Sequence, residues 1–108
     1  MKKIHIYYTL CGSKKEAQNL AKSLLEKNLA VCVNLINNVE SFYLESNRVK
    51  STNEIGLIIK SITNDKKIFS FIEKNHPYSI PFIVKFDSNH INEKYLKWAL
   101  KSKNESFN

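Results

Sequence analysis

Between residues 30 and 62 apolar and polar side chains alternate over an unusual length. Val31, Val33 and Leu35 share one face, and Val39 and Tyr43 follow a polar break at Asn37 and Asn38. Further on, Ile55, Leu57 and Ile59 share a face, with Ile58 and Ile62 on the other. The β-branched and aromatic enrichment predicts two strands, 30–45 and 49–62, joined by a tight polar turn at Ser46, Asn47 and Arg48. A strand of that length spans roughly 45 Å. A compact chain of this size has a radius of gyration of about 13 Å and is roughly 35 Å across. The hairpin is therefore expected to overhang its own domain, with Val39, Phe42, Tyr43 and Leu44 near its tip. Apolar groups and unpaired backbone there call for cover, which another copy of the chain supplies. The alternative is a bulge at Asn37 and Asn38 that bends the hairpin back over its own sheet.

The flanking segments complete a small domain. Ile4, Ile6, Tyr8 and Leu10 share one face of a first strand, with His5 and Tyr7 on the other, and Cys11 and Gly12 end it. Ser13 with Glu16 forms a capping-box pattern. Ala17, Leu20, Ala21, Leu24 and Leu25 then fall at helical spacing, and Asn28 suits a left-handed cap. Thr63, Asn64 and Asp65 open a second helix with Ile68, Phe69 and Ile72 as its stripe. It must stop near Asn75 and His76, because Pro77 disfavours helix at the residue before it. Ile80, Phe82, Val84 and Phe86 predict a fourth strand, with Pro81 at its start or on an edge. Asn92 caps a short third helix carrying Tyr95, Leu96, Trp98, Ala99 and Leu100.

The order is βαββαβ plus a C-terminal helix. That is an α+β, ferredoxin-like split βαβ arrangement with an antiparallel sheet. Residues 1–100 are expected to form a single domain and 101–108 a polar, frayed tail. Two helices should cover one sheet face, leaving the other, with His5 and Tyr7 or the alternate hairpin residues, to the short third helix and a further copy.

Bulk charge narrows the partners. Lys and Arg number 17 against 10 Asp and Glu, a formal net charge of +7. The lysines are scattered over every element and Arg48 is the only arginine, so no basic site for nucleic acid is expected. The sheet topology can bind RNA by stacking, but Ile55, Gly56, Leu57, Ile58 and Ile59 lack the aromatic residues this needs. No apolar run approaches the ~20 residues of a membrane span. Met1, Lys2 and Lys3 lead into only a short apolar strand, which is not a signal-peptide pattern, and the cytoplasm is the expected compartment.

Candidate chemistry is sparse. There is no CxxC, no HExxH and no Gly-rich phosphate loop, and an acylphosphatase-like enzyme would need an arginine better placed than Arg48. His76 is the best candidate metal ligand, for copper(II) or another divalent cation, with Cys11 as its nearest prospective companion. The competing role for His76 is structural, at the end of a helix. His5 and His90 read as surface residues, and Cys32 as a small buried hydrophobe. Glu40, Glu45 and Glu54 read as solvated, or as partners for Lys50 and Arg48 across the hairpin.

Five strings together are similar to the CutA family of divalent-ion tolerance proteins. They are Ala30 to Ile36 (AVCVNLI), Ser41 to Tyr43 (SFY), Ile58 to Ser61 (IIKS), His76 to Pro81 (HPYSIP), and Tyr95 to Trp98 (YLKW). The resemblance implies a ferredoxin-like fold and a homotrimer in which strands of neighbouring subunits pair. It also implies a link to copper tolerance, no established catalytic activity, and, by likeness to nitrogen-regulatory (PII-like) trimers, ligand sensing with an unidentified signalling partner. The chain departs from that pattern at the Glu45-Ser46-Asn47 turn, where the family has a Trp-Glu-Gly-like string, and at Phe82, where it has Glu. Where some bacterial relatives carry a metal-binding Cys and a second His, this chain has Tyr8 and Asn75, so His76 alone remains of the ligands the resemblance implies.

Overall fold

The computed structural model describes residues 3–63 and 66–105, with 103–105 described in backbone only. Asn64 and Asp65 of the expected helix start, and 106–108 of the expected tail, lie outside the described residues. The elements are β1 (His5–Cys11), α1 (Lys14–Glu26), β2 (Cys32–Glu45), β3 (Arg48–Ser61), α2 (Lys66–Asn75), β4 (Ile83–Asp87) and α3 (Glu93–Glu105). The four strands form an antiparallel sheet in the order β2-β3-β1-β4, which is the ferredoxin-like order.

α1 begins as its sequence dictates. Ser13 is extended (φ −145°, ψ 157°) and its Oγ accepts the Glu16 N–H at 3.2 Å, satisfying an orphan donor of the first turn. Asn28 takes the left-handed conformation (φ 59°), and the Leu29 N–H turns back to the Leu24 carbonyl at 2.9 Å. Ala17, Leu20, Ala21 and Leu24 are buried, whereas Leu25, at the stripe's edge, is half exposed.

The covered face of the sheet is the reverse of the one expected. His5, Tyr7, Thr9 and Cys11 are the buried side chains of β1, under α1 and α2 with Leu57, Ile59, Ile68 and Ile72. Tyr7 is amphipathic, and the core accepts it because its ends are satisfied. Its ring meets Phe69 edge-on at 6.4 Å, and its hydroxyl donates to the Thr63 carbonyl at 3.3 Å. His5 is likewise buried rather than on the surface, with Nδ1 2.6 Å from Asp87 Oδ1.

Ile6, Tyr8 and Leu10 face the other side and are half buried. α3 covers one end of that side, burying Ile4 and Ala99 and setting the Tyr95 ring 5.5 Å from Lys60 Nζ. It runs to Glu105, well past the expected stop at Leu100. β4 starts three residues later than expected, at Ile83: Pro81 has no N–H for a ladder, and the Phe82 carbonyl is taken by the Thr9 hydroxyl at 2.8 Å.

The hairpin projects. The chain measures 49 × 27 × 24 Å with a radius of gyration of 15.1 Å, above the ~13 Å of a compact chain of this length. A bulge lies where the polar break stands: Ile36 pairs with Gly56 and Val39 with Glu54, leaving Asn37 and Asn38 opposite Ile55, with Asn38 left-handed (φ 60°). It does not fold the ribbon home. The turn is two residues, Ser46 (φ 52°) and Asn47 (φ 62°), with Arg48 already in β3 opposite Glu45. Two positive φ values make the turn whose twist matches a right-handed ribbon. β1 pairs with β3 only as far as Ile55, so from Arg48 to Glu54 β3 has β2 alone beside it among the described residues, and the outer edge of β2 is open throughout.

Candidate functional site at the base of the hairpin

Between α2 and β4 the chain crosses the end of β1 as a strap, residues 76–82, bracketed by Pro77 and Pro81. With no ladder to hold it, side-chain bonds do. His76 Nδ1 accepts the Tyr78 N–H at 3.0 Å, so the neutral ring carries its proton on Nε2, which lies 2.9 Å from Thr9 Oγ1. Thr9 in turn donates to the Phe82 carbonyl. Tyr78 Oη donates to Glu54 Oε2 at 2.7 Å, tying the strap to the root of the ribbon. Gly12 makes room for Tyr78, because a Cβ there would stand 3.3 Å from its hydroxyl.

Burial sets the chemistry of these groups. It lowers the His76 pKa below its ordinary 6.5, against weaker pulls from the Leu10 carbonyl, Glu16 and Glu54. It pushes the Cys11 thiol up to about 11, with Glu16 and Glu54 adding to the effect, and Cys11 is fully buried. Burial and the bond to Glu54 raise Tyr78 strongly, so its hydroxyl remains a donor. At neutral pH the site therefore holds a neutral imidazole with both nitrogens engaged and a protonated thiol.

Such donors do not fit a resident metal ion. A ligating imidazole needs a free nitrogen, and a ligating thiol must lose its proton. No group of three or more His, Cys, Asp and Glu that could hold a metal occurs among the described residues. Across three neighbouring strands Ser61, His5 and Asp87 also line up. That alignment lacks an available nucleophile, since Ser61 is buried and its hydroxyl donates to the Leu29 carbonyl at 2.6 Å.

Above the strap, a groove of about 810 Å³ opens between strap and ribbon. Leu10, Phe42, Tyr43, Ile80 and Phe82 supply its apolar lining, with Glu54 and Tyr78 among its polar groups. Ile80 is 90% exposed, Phe42 66% and Phe82 57%. Thr9 and the Glu54–Tyr78 pair are missing from the sequence reading. Glu54 was expected to be solvated or to serve Lys50 or Arg48, whereas Lys50 pairs with Glu45 at 3.0 Å.

The fold and site define a ferredoxin-like domain with a projecting ribbon and an apolar groove at its root. Residues 5–102 match the profile of the CutA1 divalent ion tolerance proteins, and the chain belongs to that family. It is 31% identical over 96 residues to a divalent-cation tolerance protein CutA of Pyrococcus horikoshii, covering 88% of this chain and 93% of that one. It is 29% identical over 97 residues to a CutA homolog of Danio rerio, but there covers 89% of this chain and only 65% of the relative. A crystal structure of CutA1 from Ehrlichia chaffeensis superposes with a TM-score of 0.90 at 30% identity, covering 95% and 97% of the two chains. The family's description names ion tolerance and not an enzymatic reaction. Compartment does not follow from membership. A structural neighbour from Archaeoglobus fulgidus is described as periplasmic, and an Oryza sativa relative as chloroplastic. No helix among the described residues is long and apolar enough to cross a membrane.

Proposed function

We propose that this chain works as a homotrimer in the cellular response to divalent cations, copper among them, in the cytoplasm and without catalysing a reaction. The observation that carries the assembly is the ribbon. Its outer half has open main-chain edges on both sides, and Phe42, Leu44 and Val49 on it are 66%, 74% and 72% exposed. Open edges and bare apolar groups of this kind are costly in water and are relieved by another strand. Light scattering on the purified protein is expected to give three times 12.6 kDa, and a monomer overturns the reading.

We propose that any cation contact at His76 is a transient one and not a resident site, since its nitrogens are engaged and the Cys11 thiol is protonated. His76 would have to exchange a hydrogen bond, to Thr9 or to Tyr78, for the ion. Calorimetric titration of Cu(II) into the wild type and His76→Ala separates the cases, and equal affinities remove His76 from the argument. The commitment of both nitrogens favours a second reading, in which the trimer senses a small ligand without metal and passes the signal to a partner.

A further inference from the structure

The Tyr78–Glu54 bond sits at the point where the ribbon leaves the body. Cys11 pairs with Ile55, the β1–β3 ladder stops there, and Glu54 is the next residue of β3. Tyr78 reaches it from the strap at 2.7 Å. The path of the strap is fixed without this bond, by the Tyr78 N–H on His76, by His76 on Thr9 and by Thr9 on the Phe82 carbonyl. What the Tyr78 hydroxyl adds is a tie between strap and ribbon, the two walls of the groove.

We infer that this tie is a latch that sets the angle of the ribbon and so pre-forms the groove as the seat of a second copy of this chain, with Ile80 as the apolar anchor. The inference rests on the assembly reading above. The occupant is another copy because one wall of the groove is a ribbon with unpaired N–H and C=O groups along its edges, and their complement is a strand. The apolar lining exposes Ile80, Phe42 and Phe82 together, which a chain of this length leaves bare only where something covers it. Ile80 stands out from a strap stiffened by two prolines, so little conformational freedom is lost when it is covered. Tyr78 and Glu54 are positioning residues: a wall that swings freely must be ordered at the moment of association, which weakens binding without altering the contact surfaces.

Sedimentation equilibrium on the wild type, Tyr78→Phe, Glu54→Val, Glu54→Gln, Ile80→Ser and the Tyr78→Phe/Glu54→Val pair tests this, with far-UV circular dichroism on each. Tyr78→Phe and Glu54→Val should dissociate at protein levels about tenfold higher than the wild type, which for a monomer–trimer equilibrium is about a hundredfold in the dissociation constant, ~2.7 kcal/mol per trimer. Their dichroism should be unchanged, and the double variant should be no worse than either single one. Glu54→Gln keeps an acceptor oxygen and should assemble like the wild type. Ile80→Ser should weaken assembly at least as much as the loss of the latch. Wild-type assembly by Tyr78→Phe overturns the latch, as does dissociation that merely tracks loss of strand signal. A fall in Glu54→Gln equal to that in Glu54→Val overturns the hydrogen-bond account. A monomeric wild type instead removes the assembly reading itself.

Discussion

His76 Nε2 stands 2.9 Å from the hydroxyl of Thr9, joining a residue of the central strand to one 67 positions later in the chain. The hydroxyl passes the connection on to the Phe82 carbonyl. Because the imidazole is held neutral by burial, its proton balance differs between folded and unfolded chains. The unfolded ring, near its ordinary 6.5, takes up a proton before the folded one does. The contribution is therefore fully present above pH 6.5 and is lost as pH falls through the lower folded value. Urea unfolding between pH 7.5 and pH 5, chosen as round values about that pKa, should show stability declining toward acid in the wild type. His76→Gln should have a flatter profile over the same window. Thr9→Val, which removes the hydroxyl that links His76 Nε2 to the Phe82 carbonyl, should cost about 1–3 kcal/mol at neutral pH.

Asp87 titrates with the opposite chemistry and the same sign. Its hydrogen bonds to His5, then to Lys85, hold its carboxyl below the usual 3.8. An unfolded chain protonates this carboxyl first as acid is added, so the stabilisation is complete above pH 3.8 and fades as pH falls through the folded value. Asp87→Asn should lower the thermal midpoint at neutral pH, and the two proteins should converge in strong acid. A gap that persists there would show that the substitution acts through packing instead.

The turn of the hairpin is a place to gain stability. Ser46 and Asn47 both hold positive φ, which side-chain-bearing residues adopt at a cost. Replacing them with Ser46→Asn and Asn47→Gly matches the preferred chemistry of such a turn. The pair should raise stability by roughly 1 kcal/mol, read as an upward shift of the thermal midpoint.

Tyr95 carries a buried hydroxyl with no geometric hydrogen-bond partner among the described residues. Its polar neighbour is the thiol of Cys32, a weak acceptor, and burial raises its pKa. Tyr95→Phe should be neutral or stabilise by up to about 1 kcal/mol in urea unfolding. A loss of that size instead would reveal that the thiol is a real acceptor.

Much of the architecture was legible because its signals are local. The alternation over residues 30–62, the Ser13 cap, the left-handed Asn28 and the stop before Pro77 each act within a few residues. The covered face of β1 was not legible. Alternation separates two faces but does not say which is buried, and Tyr7 and His5 are large polar-tipped groups whose partners, Thr63 and Asp87, come from distant segments. The site was half legible. His76 stood out by its string, yet Thr9 and Glu54 lie 67 and 24 residues from their partners, and no spacing rule connects them.

The extra residue at Asn38 separates two properties that strands usually bind together. Ile36 and Val39 point to the same side although an odd number of steps divides them, because Gly56 and Glu54 opposite are two apart. Deleting Asn38 would keep every downstream cross-strand pair and straighten only the local kink. The aim of the ribbon is thus adjustable by one codon, without rewriting which of its side chains look inward.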